Sequence, residues 1–182
     1  MQRPSTIRYT YADYLSIPED TSRRYEIVDG ELFVTAAPRF RHQRVTTRLA
    51  RLLGNLAEEH GLGEVVGGPI TVHLHDELVV EPDVLFIRAD RLGIIDPEGG
   101  VEGPPDLVVE VLSPSNRDYD RNLKRKHYLE SGVAELWILD ADERTVEVWR
   151  AGSAEAEQVR DLLLWRVAGH SFEVLLADVF RS

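Results

Sequence analysis

Apolar and polar positions change period several times along this chain, and each change marks an element. In RYEIVDGELFVTA two short β-rich runs flank Asp29-Gly30, which predicts a hairpin with strands Tyr25 to Val28 and Glu31 to Thr35. From about Gln43 to His60 the period lengthens. Val45, Leu49, Leu52, Leu53 and Leu56 fall on one face of a helix, and Gly61 is its C-terminal stop. In PITVHLHDELVV, Ile70, Val72 and Leu74 alternate with Thr71, His73 and His75, giving a strand before a turn near Asp76-Glu77. VLFI and DLVVEVLS read as two further strands, separated by a loop from Asp90 to Pro105 that carries GIIDPEGG and GPP.

Pro114-Ser115-Asn116 then offers a turn and a helix N-cap for the basic pattern DYDRNLKRKHYLESG, which ends at Gly132. Strands Glu135 to Asp140 and Thr145 to Arg150 are joined by a turn over Ala141 to Arg144, and Leu162 to Phe180 reads as short strands or a terminal hairpin. At the other end, TYADYLSIPED reads as a short helix stopped near Pro18. This order of hairpin, helix, strands, helix and strands predicts an α/β or α+β sandwich with a central sheet and helices over it. Its 182 residues fit one domain, residues 1 to 182, with a real core.

Composition narrows the class. Hydrophobic residues make up 43% and charged ones 29%, as in a globular protein. No apolar run reaches the ~18 residues of a membrane span, so no membrane partner is expected. The opening MQRPSTIRYTYADYL lacks the apolar core of a secretory signal, and the absence of cysteine excludes disulfides and thiolate metal sites. A cytoplasmic location follows as the expectation.

The net charge of −11 argues against a protein that coats nucleic acid nonspecifically. Yet Arg39 to Arg51 holds five arginines and no acid. On a helix, Arg41, Arg44, Arg48 and Arg51 fall within roughly 80° of one face, either a phosphate-binding stripe or a solvated surface.

The chemistry concentrates on carboxylates. Glu110 sits inside the apolar run DLVVEVL, where an uncompensated charge costs several kcal/mol. Asp83 opens VLFI within EPDVLFI, so two strands can deliver acids to one place; alternatively, Asp83 after a proline caps a strand entrance. Two carboxylates without cysteine suit a hard ion such as magnesium. Hydrolysis of a phosphodiester also calls for a cation against the developing charge. Lys124 shares a helix face with Asp120 and Tyr128 at four-residue steps, and Lys126 points about 200° away. Taken alone Lys124 reads as a solvated helix lysine, but its position close after the Glu110 strand would let it lean over the strand ends and orient or deprotonate a water.

Glu26 in RYEIV either joins the acid cluster or, by a slight preference, faces outward. His42 either touches phosphate or is structural. His73 and His75 share a strand face but lack a third ligand at suitable spacing, and read as surface residues rather than a zinc pair.

Taken together, RYEIVDGEL, APRFRHQRV, EPDVLFI and PDLVVEVLSPSNRDYDRNLKRKHYLESGVAELWILD resemble the Uma-two family of endonucleases, over most of the chain. That family is similar to the PD-(D/E)XK nuclease superfamily. The resemblance implies a restriction-endonuclease-like core, a mixed sheet flanked by helices. By it, Asp83 is the first acid and Glu110 the second. The usual lysine position two residues on is Leu112, and the lysine moves to Lys124 in the pattern Asp120, Lys124, Tyr128. Glu26 matches the N-terminal acid.

The implied activity is a magnesium-dependent cut of DNA, with manganese as the alternative ion. Asp83 and Glu110 would hold the metal, Lys124 would position water, Glu26 would assist, and a homodimer would form by analogy with restriction enzymes. The competing expectation is a non-catalytic dimeric scaffold or regulator on the same fold. A third is hydrolysis of a nucleotide or another phosphoester.

Overall fold

Asp29 and Gly30 both take positive φ, 52° and 72°, and close the hairpin that the sequence places there. In the computed structural model, which describes residues 7–18, 22–113 and 119–181, this hairpin starts the first of two six-stranded sheets. The chain runs through α1 (Tyr11–Leu15), β1 (Arg23–Val28), β2 (Glu31–Ala36), α2 (Phe40–His60), β3 (Gly63–Gly67), β4 (Val72–His75), β5 (Leu78–Val80) and β6 (Val84–Arg88). A 3-10 turn, Ala89–Ile94, leads to β7 (Ile95–Asp96), β8 (Gly100–Glu102) and β9 (Leu107–Val111). A π-helical turn, Tyr119–Lys124, runs directly into α3 (Arg125–Glu130). The remainder is β10 (Glu135–Asp140), β11 (Thr145–Arg150), β12 (Glu157–Val159), the hairpin β13 (Leu162–Val167) and β14 (His170–Leu175), and α4 (Leu176–Phe180).

The first sheet has the order β2-β1-β5-β4-β8-β7, and the second β12-β11-β10-β9-β6-β3. The second is mixed: β9 pairs in parallel with β10 and antiparallel with β6. A parallel pair needs a crossover, and the segment containing α3 supplies it. All five residues of β9 are buried, which is why its sequence is nearly all apolar and why Glu110 stands out.

On one face of this central sheet, Val45, Leu49, Leu53 and Ala57 of α2 pack with Val84, Val109, Trp137 and Trp165. On the other face, Val28 and Val80 of the first sheet and Tyr128 of α3 pack with Leu85, Val108, Leu136 and Ile138. The result is an α+β architecture of mixed sheet and flanking helices, as the sequence predicts. Among the described residues, no helix is long and apolar enough to cross a membrane.

Several boundaries differ from expectation. α2 begins three residues earlier, at Phe40, and ends where Gly61 turns left-handed at φ 60°. The segment Asp90 to Pro105 is not all loop, because β7 and β8 extend the first sheet. β3 escapes the apolar pattern: it is short and bounded by Gly63 and Gly67. Gly63 is required there, since a Cβ would stand 2.0 Å from the Ile87 carbonyl oxygen. The terminal segment forms the expected hairpin and adds α4. The turn and N-cap expected at 114–116 lie outside the described residues, as does the Asp120 side chain.

Candidate active site

Val84 of β6 faces Val109 of β9, and the Asp83 N–H donates to the Val109 carbonyl at 3.1 Å. One step further along this antiparallel pair, Asp83 and Glu110 come side by side on the face that looks toward the first sheet. The two acids of the sequence therefore do meet. They are 1% and 4% exposed.

From the facing sheet, β1 sends Arg24, Glu26 and Val28 toward the same space, because alternate strand residues share a face. Glu26 is thus buried rather than outward, against the preference read from sequence. From the crossover helix comes Lys124, also buried. Its Nζ lies 2.7 Å from Glu26 Oε1 and 2.6 Å from Glu110 Oε1. Tyr128, one turn on, donates to the same Glu110 oxygen at 2.6 Å. Lys126 points away, as the helical angle requires, and makes an exposed 4.0 Å pair with Glu130.

Asp83 is held differently. Arg24 Nη1 donates to its Oδ1 at 2.7 Å, the Val111 N–H donates to Oδ2 at 2.8 Å, and His42 Nε2 lies 3.0 Å from Oδ2. This settles His42 at the acid cluster. Arg24 and Glu81 were not singled out from the sequence, although each precedes a chosen acid by two strand positions, in R-Y-E and E-P-D. That period-2 relation was the available signal. The Glu81 N–H donates to Glu26 Oε1 at 2.8 Å, and the Tyr14 hydroxyl donates to Glu81 Oε1 at 2.8 Å.

The electrostatics separate the two central acids. Burial pushes the Glu110 carboxyl up to about 7; Lys124 opposes this, while Asp83 and Glu26 add to it. Burial also acts on Asp83, but His42, Arg24 and the Val111 N–H outweigh it and hold that carboxyl below the usual range. Burial and the adjacent Glu110 keep the Tyr128 phenol well above its ordinary value, so it remains a donor.

Arg24, Glu26, His42, Asp83, Glu110 and Lys124 line a cavity of about 450 Å³, whose lining also includes the exposed Arg39, Arg41 and Asp142. Arg41 donates to Asp142 Oδ1 at 2.6 Å and to the Ala141 carbonyl. His73 and His75 lie elsewhere: a register shift separates them, and His73 stacks on Tyr11 with its Nδ1 2.6 Å from Glu102 Oε2.

The donor set fits a hard divalent ion. A carboxylate offers about four lone-pair sites. On Asp83, Arg24 takes one site on Oδ1 and the Val111 N–H and His42 take two on Oδ2, which leaves one on Oδ1; both bonds to Glu110 fall on Oε1, leaving Oε2 without a partner among the described residues. No group of three or more His, Asp or Glu residues forms a ready cage among the described residues. Magnesium does not require one, since it keeps waters and is commonly held through one or two carboxylates plus substrate phosphate.

A mixed sheet flanked by helices, with acids and a lysine gathered at one end of its central strands, has the architecture of a nuclease-like fold. The crystal structure of a putative nuclease belonging to DUF820 from Anabaena variabilis superposes with a TM-score of 0.79 at 20% identity, covering 94% of this chain and 97% of that one. The chain belongs to the Uma2 family, described as putative restriction endonucleases, whose pattern it matches over residues 11–174. The uncharacterized protein sll1609 of Synechocystis sp. is 29% identical over 119 residues, 65% of this chain and 67% of that protein.

Proposed function

We propose that this chain is a metal-dependent endonuclease that hydrolyses DNA phosphodiester bonds. The observation that carries this reading is the convergence of Asp83, Glu110 and Lys124 in one cavity, on the fold of a restriction-endonuclease family. Charge supports it as well. Asp83 and Glu26 crowd Glu110 closely enough to disfavour its charged form, a repulsion that a bound cation would relieve.

Asp83 and Glu110 would hold magnesium or manganese through carboxylate oxygen. When bound, such an ion would supply Lewis-acid polarisation of a phosphoryl oxygen and a more acidic water. Lys124, with Nζ 2.7 Å from Glu26 Oε1 and 2.6 Å from Glu110 Oε1, is a hydrogen-bond donor of the site. It orients the water or offsets charge on the phosphoryl oxygens as the water oxygen bonds to phosphorus and the bond to the leaving oxygen breaks. Glu26 positions Lys124. Arg24 and His42 fix the Asp83 carboxylate, and Tyr128 fixes that of Glu110.

Cleavage of supercoiled and linear DNA with magnesium, manganese or chelator, beside Glu110→Gln, tests the assignment. Metal-dependent nicking that disappears in the variant is expected. The pairing of Asp83 with Arg24 and His42 also suits a non-catalytic scaffold. Absence of cleavage together with absence of magnesium binding by calorimetry would select that reading instead.

A further inference from the structure

Resting on the nuclease reading, we infer that the DNA strand reaches this site unpaired, with a base stacked on Phe40 and its phosphates led along the arginines of α2. The first observation is depth. Asp83, Glu110 and Lys124 are each less than 5% exposed, at the floor of a cavity of about 450 Å³. Recesses of that size, within the roughly 300–1,000 Å³ of small-ligand sites, take one nucleotide-sized group. A duplex presents its phosphates on a broad convex surface, so bringing one to buried acids favours a strand that has left its partner.

The second observation is Phe40. Single exposed apolar side chains are ordinary, so its 79% exposure alone carries nothing. Its setting does. Phe40 is the first residue of α2, between Arg39 and Arg41, which both line the cavity. The Arg44 guanidinium carbon, one helical turn on, stands 5.8 Å from the ring centre. An aromatic face flanked by cations is the chemistry that binds single strands without regard to sequence.

The third observation is the row of cations beyond it. Arg44, Arg51 and Arg181 lie near enough to Arg48 that, after its burial, their charges are what lower its pKa. Arg48 donates to the Arg181 backbone carbonyl, and Arg44 Nε finds no partner among the described residues. Such crowding of like charge, with no acid between Arg39 and Arg51, is relieved by a polyanion. The row is narrow and the chain carries −11 overall, which suits one phosphate strand better than the broad footprint of a duplex.

The test measures binding of fluorescent single-stranded, duplex and forked oligonucleotides by anisotropy, using the full chain in chelator and Glu110→Gln with magnesium. Cleavage of the same substrates by the metal-loaded wild type follows. Single-stranded and forked DNA are expected to bind at least about tenfold more tightly than duplex, and to be cut preferentially. Phe40→Ala should weaken single-strand binding about tenfold with no change in melting temperature, and Phe40→Trp should restore it. Arg44→Ala and Arg48→Ala should each lower the salt slope by about 0.7. Duplex bound and cut as well as single strand, or Phe40→Ala without effect, overturns this inference and leaves the nuclease reading standing. Failure to bind or cut DNA of any form overturns both.

Discussion

Lys124 and Glu110 lie 2.6 Å apart, joining the crossover helix to the central strand of the sheet. The pair explains how a glutamate persists among Val108, Val109 and Val111: its charge is met by an ammonium and a phenol, both buried with it. It also links fold to function, because the segment that makes the parallel β9–β10 connection possible is the one that carries the cation.

Lys124→Met should therefore act on both stability and activity. It strands Glu26 and Glu110 without their shared cation, at a cost of about 3–5 kcal/mol. Metal-dependent cleavage should fall to background. Lys126→Met, on the exposed face, should stay within about 0.5 kcal/mol of wild type. Urea melts of the two variants check this; equal melts would contradict the role given to Lys124.

Stability should depend on pH through Glu110. Its folded pKa of about 7 exceeds the ordinary 4.5, so between these values the folded state holds a proton that the unfolded state has lost. That group's contribution is greatest below pH 4.5, declines as pH rises to 7, and is flat above, a loss on the order of 3 kcal/mol. Asp83 has the opposite sign: its stabilisation is present above its ordinary pKa of 3.8 and disappears as pH falls through its lower folded value. In chelator, wild type relative to Glu110→Gln should be more stable at pH 5 than at pH 8. The same difference at both pH values would sink the assignment.

Magnesium should raise the melting temperature of the wild type, as a ligand that binds the folded state alone must. Asp83→Asn should remove that rise. It should also destabilise the chain without metal, since Arg24 and His42 then face a neutral amide instead of an anion. A magnesium-dependent rise in Asp83→Asn equal to that of wild type would place the metal elsewhere.

Gly68→Ala should disturb the site from behind. A Cβ at Gly68 would stand 2.1 Å from the Pro82 carbonyl oxygen, and the Gly68 N–H donates to the Asp83 carbonyl at 2.8 Å. The backbone that presents Asp83 has to shift. Loss of about 2–4 kcal/mol is expected, with reduced cleavage; Gly54→Ala, in α2 with open space at its Cβ, is the neutral or stabilising control.

Much of this was legible beforehand. The hairpin at Asp29-Gly30, helix α2, the acid-bearing strands and the rule that Lys124 and Lys126 cannot both face one site follow from period, turn chemistry and the improbability of a charge inside an apolar strand. These are local or nearly local physics, and the sequence by itself determined them. The orientation of Glu26, the position of His42 on Asp83 and the presence of Arg24 and Glu81 were decided only by the tertiary structure. Each depends on how the first sheet and α2 pack over the second, and a strand's alternation tells which residues share a face but not what that face meets. β3, β7 and β8 are decided the same way, because such short strands acquire their stability from the neighbours they pair with rather than from their own residues.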